Sequence, residues 1–151
     1  MVTINFAKTE HLTLISEFEH ETFGHEAYSY VALSDMLKDN YLLKNNDNIF
    51  EISNEDDLIG YVIFHVSDDF TDIYKIFIRD NDKRKGYATM LVNKVIEISK
   101  RYNSPKIMIE VRSKNNEAIS FYKKNNFNQI SVRKDYYKEP TDDALILERS
   151  L

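Results

Sequence analysis

Apolar positions along the chain switch between a period of two and a period near 3.6, and the switches predict eleven elements. Residues 2–7 alternate Ile4 and Phe6 with polar neighbours and predict a first strand. Thr9 is placed to cap a helix carrying Leu12, Ile15 and Phe18, and residues 29–39 predict a shorter helix holding Val31, Leu33, Met36 and Leu37. Residues 49–52 and 58–66 flank the polar run at 54–57 and predict a hairpin, and residues 73–78 predict another strand. Ala88, Leu91, Val92, Val95, Ile98 and Tyr102 then recur on one helical face. After Pro105, residues 107–111 have the apolar density of a buried strand. Asn115 or Asn116 caps a short helix containing Ala118, Ile119, Phe121 and Tyr122, and residues 127–132 and 144–147 close the chain as strands. The order β-α-α-β-β-β-α-β-α-β-β opens and closes on hairpins. An all-parallel doubly wound sheet does not fit it; an α/β arrangement with a mixed sheet covered by helices does.

A length of 151 residues fits one domain, residues 1–151, able to hold its core without a disulfide or metal. No run is long and apolar enough to cross a bilayer, and the first ten residues lack the apolar stretch of a secretory signal, so a cytoplasmic location is expected. Cysteine is absent, which removes a thiolate metal site and a Cys nucleophile. The four histidines, His11, His20, His25 and His65, show no metal-ligand spacing, and no metal is expected. A net charge of −5 argues against binding nucleic acid through its phosphates and suits a cationic partner better.

The segment with most chemistry is 80–90, where a strand ends, Lys83, Arg84 and Lys85 follow, and Gly86 opens an amphipathic helix. A helix N-terminus offers unpaired N–H groups and the positive end of a dipole, which together attract phosphate oxygens. Gly86 removes the Cβ that would keep a diphosphate from the backbone, and Ala88 keeps the next turn bare. A solvated basic loop before a surface helix has the same spacing, and spacing alone does not separate the two. Neither G-x-G-x-x-G nor a Gly-Lys-Ser/Thr P-loop is present.

The string Lys83-Arg-Lys-Gly-Tyr-Ala88 resembles the R/Q-x-x-G-x-G/A motif of the GNAT acetyltransferases. The block from Glu110-Val-Arg through Asn115, Ala118-Ile and Tyr122 to Asn126-Phe127 resembles E-V-R-x-x-N-x-x-A-I-x-x-Y-x-x-x-G-F of the RimI-like branch, the ribosomal-protein-alanine N-acetyltransferases. Arg133-Lys-Asp-Tyr-Tyr137 and Asp143-Ala-Leu-Ile-Leu147 are similar to that branch's ending. The resemblance covers about residues 73–148. It implies the GNAT fold and acetyl-CoA as cosubstrate. The backbone of Ile76, Phe77 and Ile78 would hold the pantetheine arm, the amides of Arg84, Lys85, Gly86, Tyr87, Ala88 and Thr89 the pyrophosphate, and Asn115 the cofactor near its reactive end. Lys83 departs from the usual Gln or Arg, and Asn126 from the usual Gly; Asn is the non-Gly residue best suited to a left-handed helix stop.

Attack on a thioester needs a neutral amine, and at pH 7 about 10% of an α-amine is neutral against about 0.04% of a lysine amine. A modest base therefore suffices for an α-amine. With the family match Glu110 is the candidate base, although a strand-end carboxylate also commonly faces solvent. Tyr122 is the candidate donor to the departing thiolate, although a helical Tyr beside Ile119 and Phe121 also suits a core. Without Cys, direct transfer in a ternary complex is expected. Tyr136 and Tyr137, between the last two strands, resemble the wall of a peptide slot or else pack an ordinary hairpin. Carboxylates at Asp135, Glu139, Asp142 and Asp143, and at Asp68, Asp69 and Asp72 in another loop, would attract a basic protein N-terminus, or are merely solvated. His20 and His25 could line the acceptor groove or lie free on the surface. The family-implied acceptor is an N-terminal Ala, as on a ribosomal protein. A small amine such as a polyamine or aminoglycoside, and a non-catalytic acyl-CoA-binding domain, are the alternatives. The sequence does not fix the oligomeric state.

Overall fold

The computed structural model describes residues 1–38 and 43–151. Its strands are β1 (Val2–Phe6), β2 (Asp47–Asn54), β3 (Asp57–Val66), β4 (Thr71–Ile78), β5 (Lys106–Arg112), β6 (Asn128–Lys138) and β7 (Thr141–Ser150). Its α-helices are α1 (Leu12–Phe23), α2 (Tyr30–Met36), α3 (Tyr87–Arg101) and α4 (Asn116–Lys124). The strands form one sheet in the order β1-β2-β3-β4-β5-β7-β6. Only β4 and β5, linked by the α3 crossover, run parallel; the other neighbours are antiparallel. The mixed sheet and the order of its elements are as the sequence predicts.

Strand alternation sorts side chains between two cores. Ile73 of β4 and Ile107, Ile109 and Val111 of β5 join Leu91, Val92, Val95 and Ile98 of α3 and Tyr122 of α4. On the opposite face Tyr61 and Ile63 of β3 join Leu12 and Ile15 of α1 and Leu33 of α2. The start of β4 is pinned to the α3 side by buried hydroxyls, Thr71 Oγ1 lying 2.7 Å from Ser99 Oγ and 3.1 Å from Ser104 Oγ.

Three local expectations are corrected. Thr9 does not cap α1: a 3₁₀ turn at Thr9–His11 comes first, and neither cap uses a side chain. Glu51 on β2 supplies the acceptor instead, taking the Lys8 amide at 2.6 Å and His11 Nδ1 at 2.9 Å. Val31 lies outside the core, 68% exposed, because a helix of seven residues has room for little more than Leu33 on its buried stripe. Ser29 caps this helix by accepting the Ala32 amide at 3.1 Å, and the expected end at Asp39 falls outside the described residues. The closing strands are longer than their apolar cores, since backbone pairing carries on through polar residues, and Tyr136 and Tyr137 therefore end β6 rather than sit in a loop.

Candidate active site

Pairing between β4 and β5 is confined to Thr71–Ile73 against Ile107–Ile109. Beyond that point β4 continues along β3, with Val62↔Ile76, Tyr61↔Phe77 and Gly60↔Ile78 in register. The β5-facing edge of Ile76, Phe77 and Ile78 thus has no strand partner and leaves its backbone groups available to an extended ligand. The β3–β4 register slips by one residue at Tyr74. A bulge of this kind re-aims side chains, and here both Tyr74 and Lys75 lie on the α1–α2 face. Gly60 is required where β3 passes β4: an added Cβ would lie 2.2 Å from the Phe77 carbonyl oxygen.

The turn before α3 follows that edge in the chain. Gly86 adopts φ 84°, and Arg84 φ 64°, both left-handed. The first bond into the helix runs from the Met90 amide to the Gly86 carbonyl at 3.1 Å, so the amides of Tyr87, Ala88 and Thr89 have no helical acceptor. A Cβ at Gly86 would meet nothing within 4 Å; it would project into open space at the helix mouth. The basic loop is partly neutralised, with Lys83 Nζ 3.3 Å from Asp80 and Lys85 Nζ 3.3 Å from Asp82.

Glu110 follows the last β4–β5 pair and alternates out of the α3 core onto the α1–α2 face. It forms an ion pair with Arg133 Nη1 at 3.0 Å, and its charge pushes up the phenol of Tyr136. Tyr137 is pushed up to about 12, by burial first and then by Glu110. Its ring also lies 4.2 Å from the Arg112 guanidinium. Arg112 ties the groove together: it donates to Glu26 Oε1 of the turn after α1 at 2.5 Å and to the Pro140 carbonyl of the β6–β7 turn at 2.8 Å. His25 and Glu139 make a second tie at 2.6 Å. Between these walls lies an open groove of about 380 Å³, lined by His25, Glu26, Tyr136, Tyr137, Lys138 and Glu139. His20 is not among its lining residues.

Tyr122 approaches from the other face. It is 1% exposed, packed edge-on against Phe121 and Phe127, and its hydroxyl is buried without a hydrogen-bond partner. Burial pushes its pKa well above the usual phenol value, so it keeps its proton. A buried, unpaired hydroxyl costs roughly 1–3 kcal/mol, and such orphans mark places where a ligand completes the bonding. The helix carrying it is fixed at both ends. Asn115 Oδ1 accepts the Ala118 amide at 3.2 Å. Asn126 takes φ 67° while the Phe127 amide returns to the Tyr122 carbonyl at 3.0 Å, the helix stop expected of it.

A model of the acetyltransferase (GNAT) family matches residues 10–127. The chain belongs to the GNAT acetyltransferase family. An N-alpha-acetyltransferase of Saccharolobus solfataricus is 30% identical over 110 residues, 64% of this chain and 65% of that protein. The [ribosomal protein bS18]-alanine N-acetyltransferase of Salmonella typhimurium is 27% identical over 101 residues, 64% of this chain and 67% of that protein. The chain thus spans about two thirds of the relatives it matches. The crystal structure of Ard1 from Thermoplasma volcanium superposes with a TM-score of 0.84 over 99% of this chain and 97% of that one, at 19% identity. The sheet and helix arrangement of this GNAT protein is therefore that of its structural neighbours, as the sequence resemblance implies.

Of the expected residues, Ile76, Phe77 and Ile78 form the edge without a strand partner, Glu110 lies on the α1–α2 face of β5, and Tyr122 is packed on the α3 face. Asn115 sits at the head of α4 with its side-chain oxygen already engaged. Sequence reasoning missed two ionisable groups of the α1–α2 face, Glu19 and Lys75, and placed a third, Asp72, in a loop. Glu19 of α1 is fully buried and accepts from Tyr61 Oη at 2.5 Å and the Tyr28 amide at 3.1 Å; burial raises its pKa. Lys75 lies 4.1 Å over the Phe23 ring, its pKa lowered by burial. Asp72, expected in a loop, is the second residue of β4 and half-buried, because β4 starts two polar residues ahead of its apolar run.

Proposed function

We propose that this GNAT protein is an acetyl-CoA-dependent acetyltransferase for the α-amine of protein N-termini, working by direct transfer. What carries the reading is the Tyr122 hydroxyl, buried without a partner on the α3 face, while Glu110 projects from the opposite face of β5. The residues present fit the cosubstrate. The unpaired edge of Ile76–Ile78 suits the pantetheine amides, and the bare turn of Arg84, Lys85, Gly86, Tyr87, Ala88 and Thr89 suits a diphosphate. Asn115 caps α4 through its Oδ1, and its amide nitrogen would contact the arm. When bound, acetyl-CoA supplies a thioester carbonyl carbon that an amine can attack.

Glu110 accepts the amine's proton, and Tyr122 donates to the sulfur as negative charge develops there. Tyr136 and Tyr137 wall the slot through which the amine enters, with Arg112 holding that wall to the turn after α1. An open groove suits an extended peptide end, and the relatives above are named as an N-alpha-acetyltransferase and a [ribosomal protein bS18]-alanine N-acetyltransferase. A ribosomal protein with N-terminal Ala is the acceptor favoured by the second of them. The test is mass spectrometry of a panel containing free N-terminal peptides, N-blocked Lys peptides, polyamines and aminoglycosides, each with acetyl-CoA. Acetylation of α-amines, lost in Glu110→Gln and Tyr122→Phe, supports the reading. Acetylation of polyamines alone replaces the acceptor, and unchanged turnover in both variants removes the mechanism.

A further inference from the structure

We propose that Asp72 is a second catalytic carboxylate, which with Glu110 forms a paired cradle that binds the acceptor as its ammonium ion and accepts a proton from it. The inference rests on the acetyltransferase reading above and concerns residues of the gap where β4 and β5 stop pairing.

Register places the pair. Asp72 lies opposite Met108 in the short parallel ladder, one step before its end, and Glu110 lies two residues beyond Met108. Thr71 and Ile73 face the α3 side, as do Ile107, Ile109 and Val111, so alternation sends Asp72, Met108 and Glu110 to the acceptor face together. The two carboxylates thus stand on adjacent strands at the mouth of the gap. Their charges interact, and Asp72 is pushed up to about 6 by burial first and by Glu110 second. Among the described residues no side chain hydrogen-bonds or ion-pairs with Asp72 directly. A half-buried carboxylate left open beside a second one suits a cation that arrives later.

The groups around it are few. His65 of β3 lies opposite it in register and lowers its pKa, while His65 Nδ1 is itself held 2.8 Å from Asp47 of β2. Arg133 of β6 acts in the same sense as His65, and Asp47 against them. Tyr74 of β4 and Tyr28, ahead of α2, both feel the charge of Asp72. Arg133 is committed to Glu110 at 3.0 Å and the His65 ring to Asp47 at 2.8 Å, which leaves Asp72 the open acceptor.

Two carboxylates match the proton count of the reaction. An ammonium ion becoming an amide loses two protons. The first must leave before the nitrogen lone pair can form the C–N bond. The second leaves as the C–S bond breaks and its electron pair goes to sulfur. One proton finally resides on the thiol and the other passes to solvent, so two acceptors beside the nitrogen let each departure be local.

The test uses the full chain with acetyl-CoA and a peptide carrying a free α-amine. In the wild type, kcat/KM falls on the acid side with an inflection near the Asp72 value of about 6. In Asp72→Asn that inflection disappears and kcat/KM at pH 7.5 drops by about 10- to 100-fold, with acetyl-CoA affinity and circular dichroism unchanged. Asp72→Glu keeps the inflection and recovers part of the rate. Independently, carboxyl 13C titration shows the Asp72 midpoint falling in Glu110→Gln. An Asp72→Asn profile that keeps both rate and inflection, or an Asp72 midpoint unmoved by Glu110→Gln, overturns the pair and leaves the N-terminal reading standing. A wild type that acetylates no α-amine overturns both.

Discussion

Asp72→Asn changes stability in a way that follows from the same geometry. The folded state raises this carboxyl from the ordinary 3.8 to about 6, chiefly through burial and secondly through Glu110. A raised acid binds its proton more tightly when folded. Its contribution is therefore fully present below the unfolded pKa, near 4, and is lost as pH rises through about 6. About two units correspond to roughly 3 kcal/mol of penalty at pH 8, since one unit is about 1.4 kcal/mol. Solvent reaches part of the side chain and screens the charge, so about 1–2 kcal/mol is the realistic magnitude. Replacing the carboxylate by the neutral, isosteric amide removes that penalty. Asp72→Asn should raise the melting temperature by about 2–8 °C at pH 8, using roughly 2–4 °C per kcal/mol for this chain length. The gain should shrink to nothing near pH 4, where both side chains are neutral. Thermal melts by circular dichroism at several pH values measure it. A variant destabilised at pH 8, or a gain independent of pH, refutes the electrostatic account of this strand end.

Three further substitutions have definite outcomes. Tyr122→Phe removes the buried hydroxyl that has no partner, so stability should hold steady or rise by about 1 kcal/mol while kcat falls by about 100-fold. Gly60→Ala drives a Cβ against the Phe77 carbonyl and Ile78 Cδ1, at 2.2 and 2.7 Å; about 3 kcal/mol of stability should be lost, with weaker acetyl-CoA binding by calorimetry because β4 shifts. Gly86→Ala strains a left-handed residue at a cost of about 1 kcal/mol and fills the hollow at the α3 mouth, so the acetyl-CoA Kd should rise at least about 10-fold.

Those outcomes draw on features of unequal visibility in the sequence. The period change at Gly86 marked both the start of α3 and its bare turn, because a lone Gly before a strongly amphipathic run leaves few structural options. Glu110 and Tyr122 stand out as candidates through motif spacing alone, since neither a strand-end Glu nor a helical Tyr announces its chemistry. Asp72 was read as a loop acid because periodicity sees apolar residues, whereas the ladder that takes β4 back to Thr71 is a matter of backbone pairing. Glu19 carried no local signal either. Its partner Tyr61 lies 42 residues away, and only the packing of α1 on β3 joins them. The left-handed Asn126 was legible from residue type alone, because few residues other than Gly and Asn end a helix in that way.

The proposed mechanism requires a thioester in the β4–β5 gap between Tyr122 and Glu110. A crystal structure with a non-reactive thioether analogue of acetyl-CoA tests it most directly. The sulfur should lie within about 3.5 Å of Tyr122 Oη, with the diphosphate on the amides around Gly86 and the acyl carbon facing the Glu110 carboxylate directly or across one water. A sulfur remote from Tyr122, with that hydroxyl still unpartnered, would contradict the account.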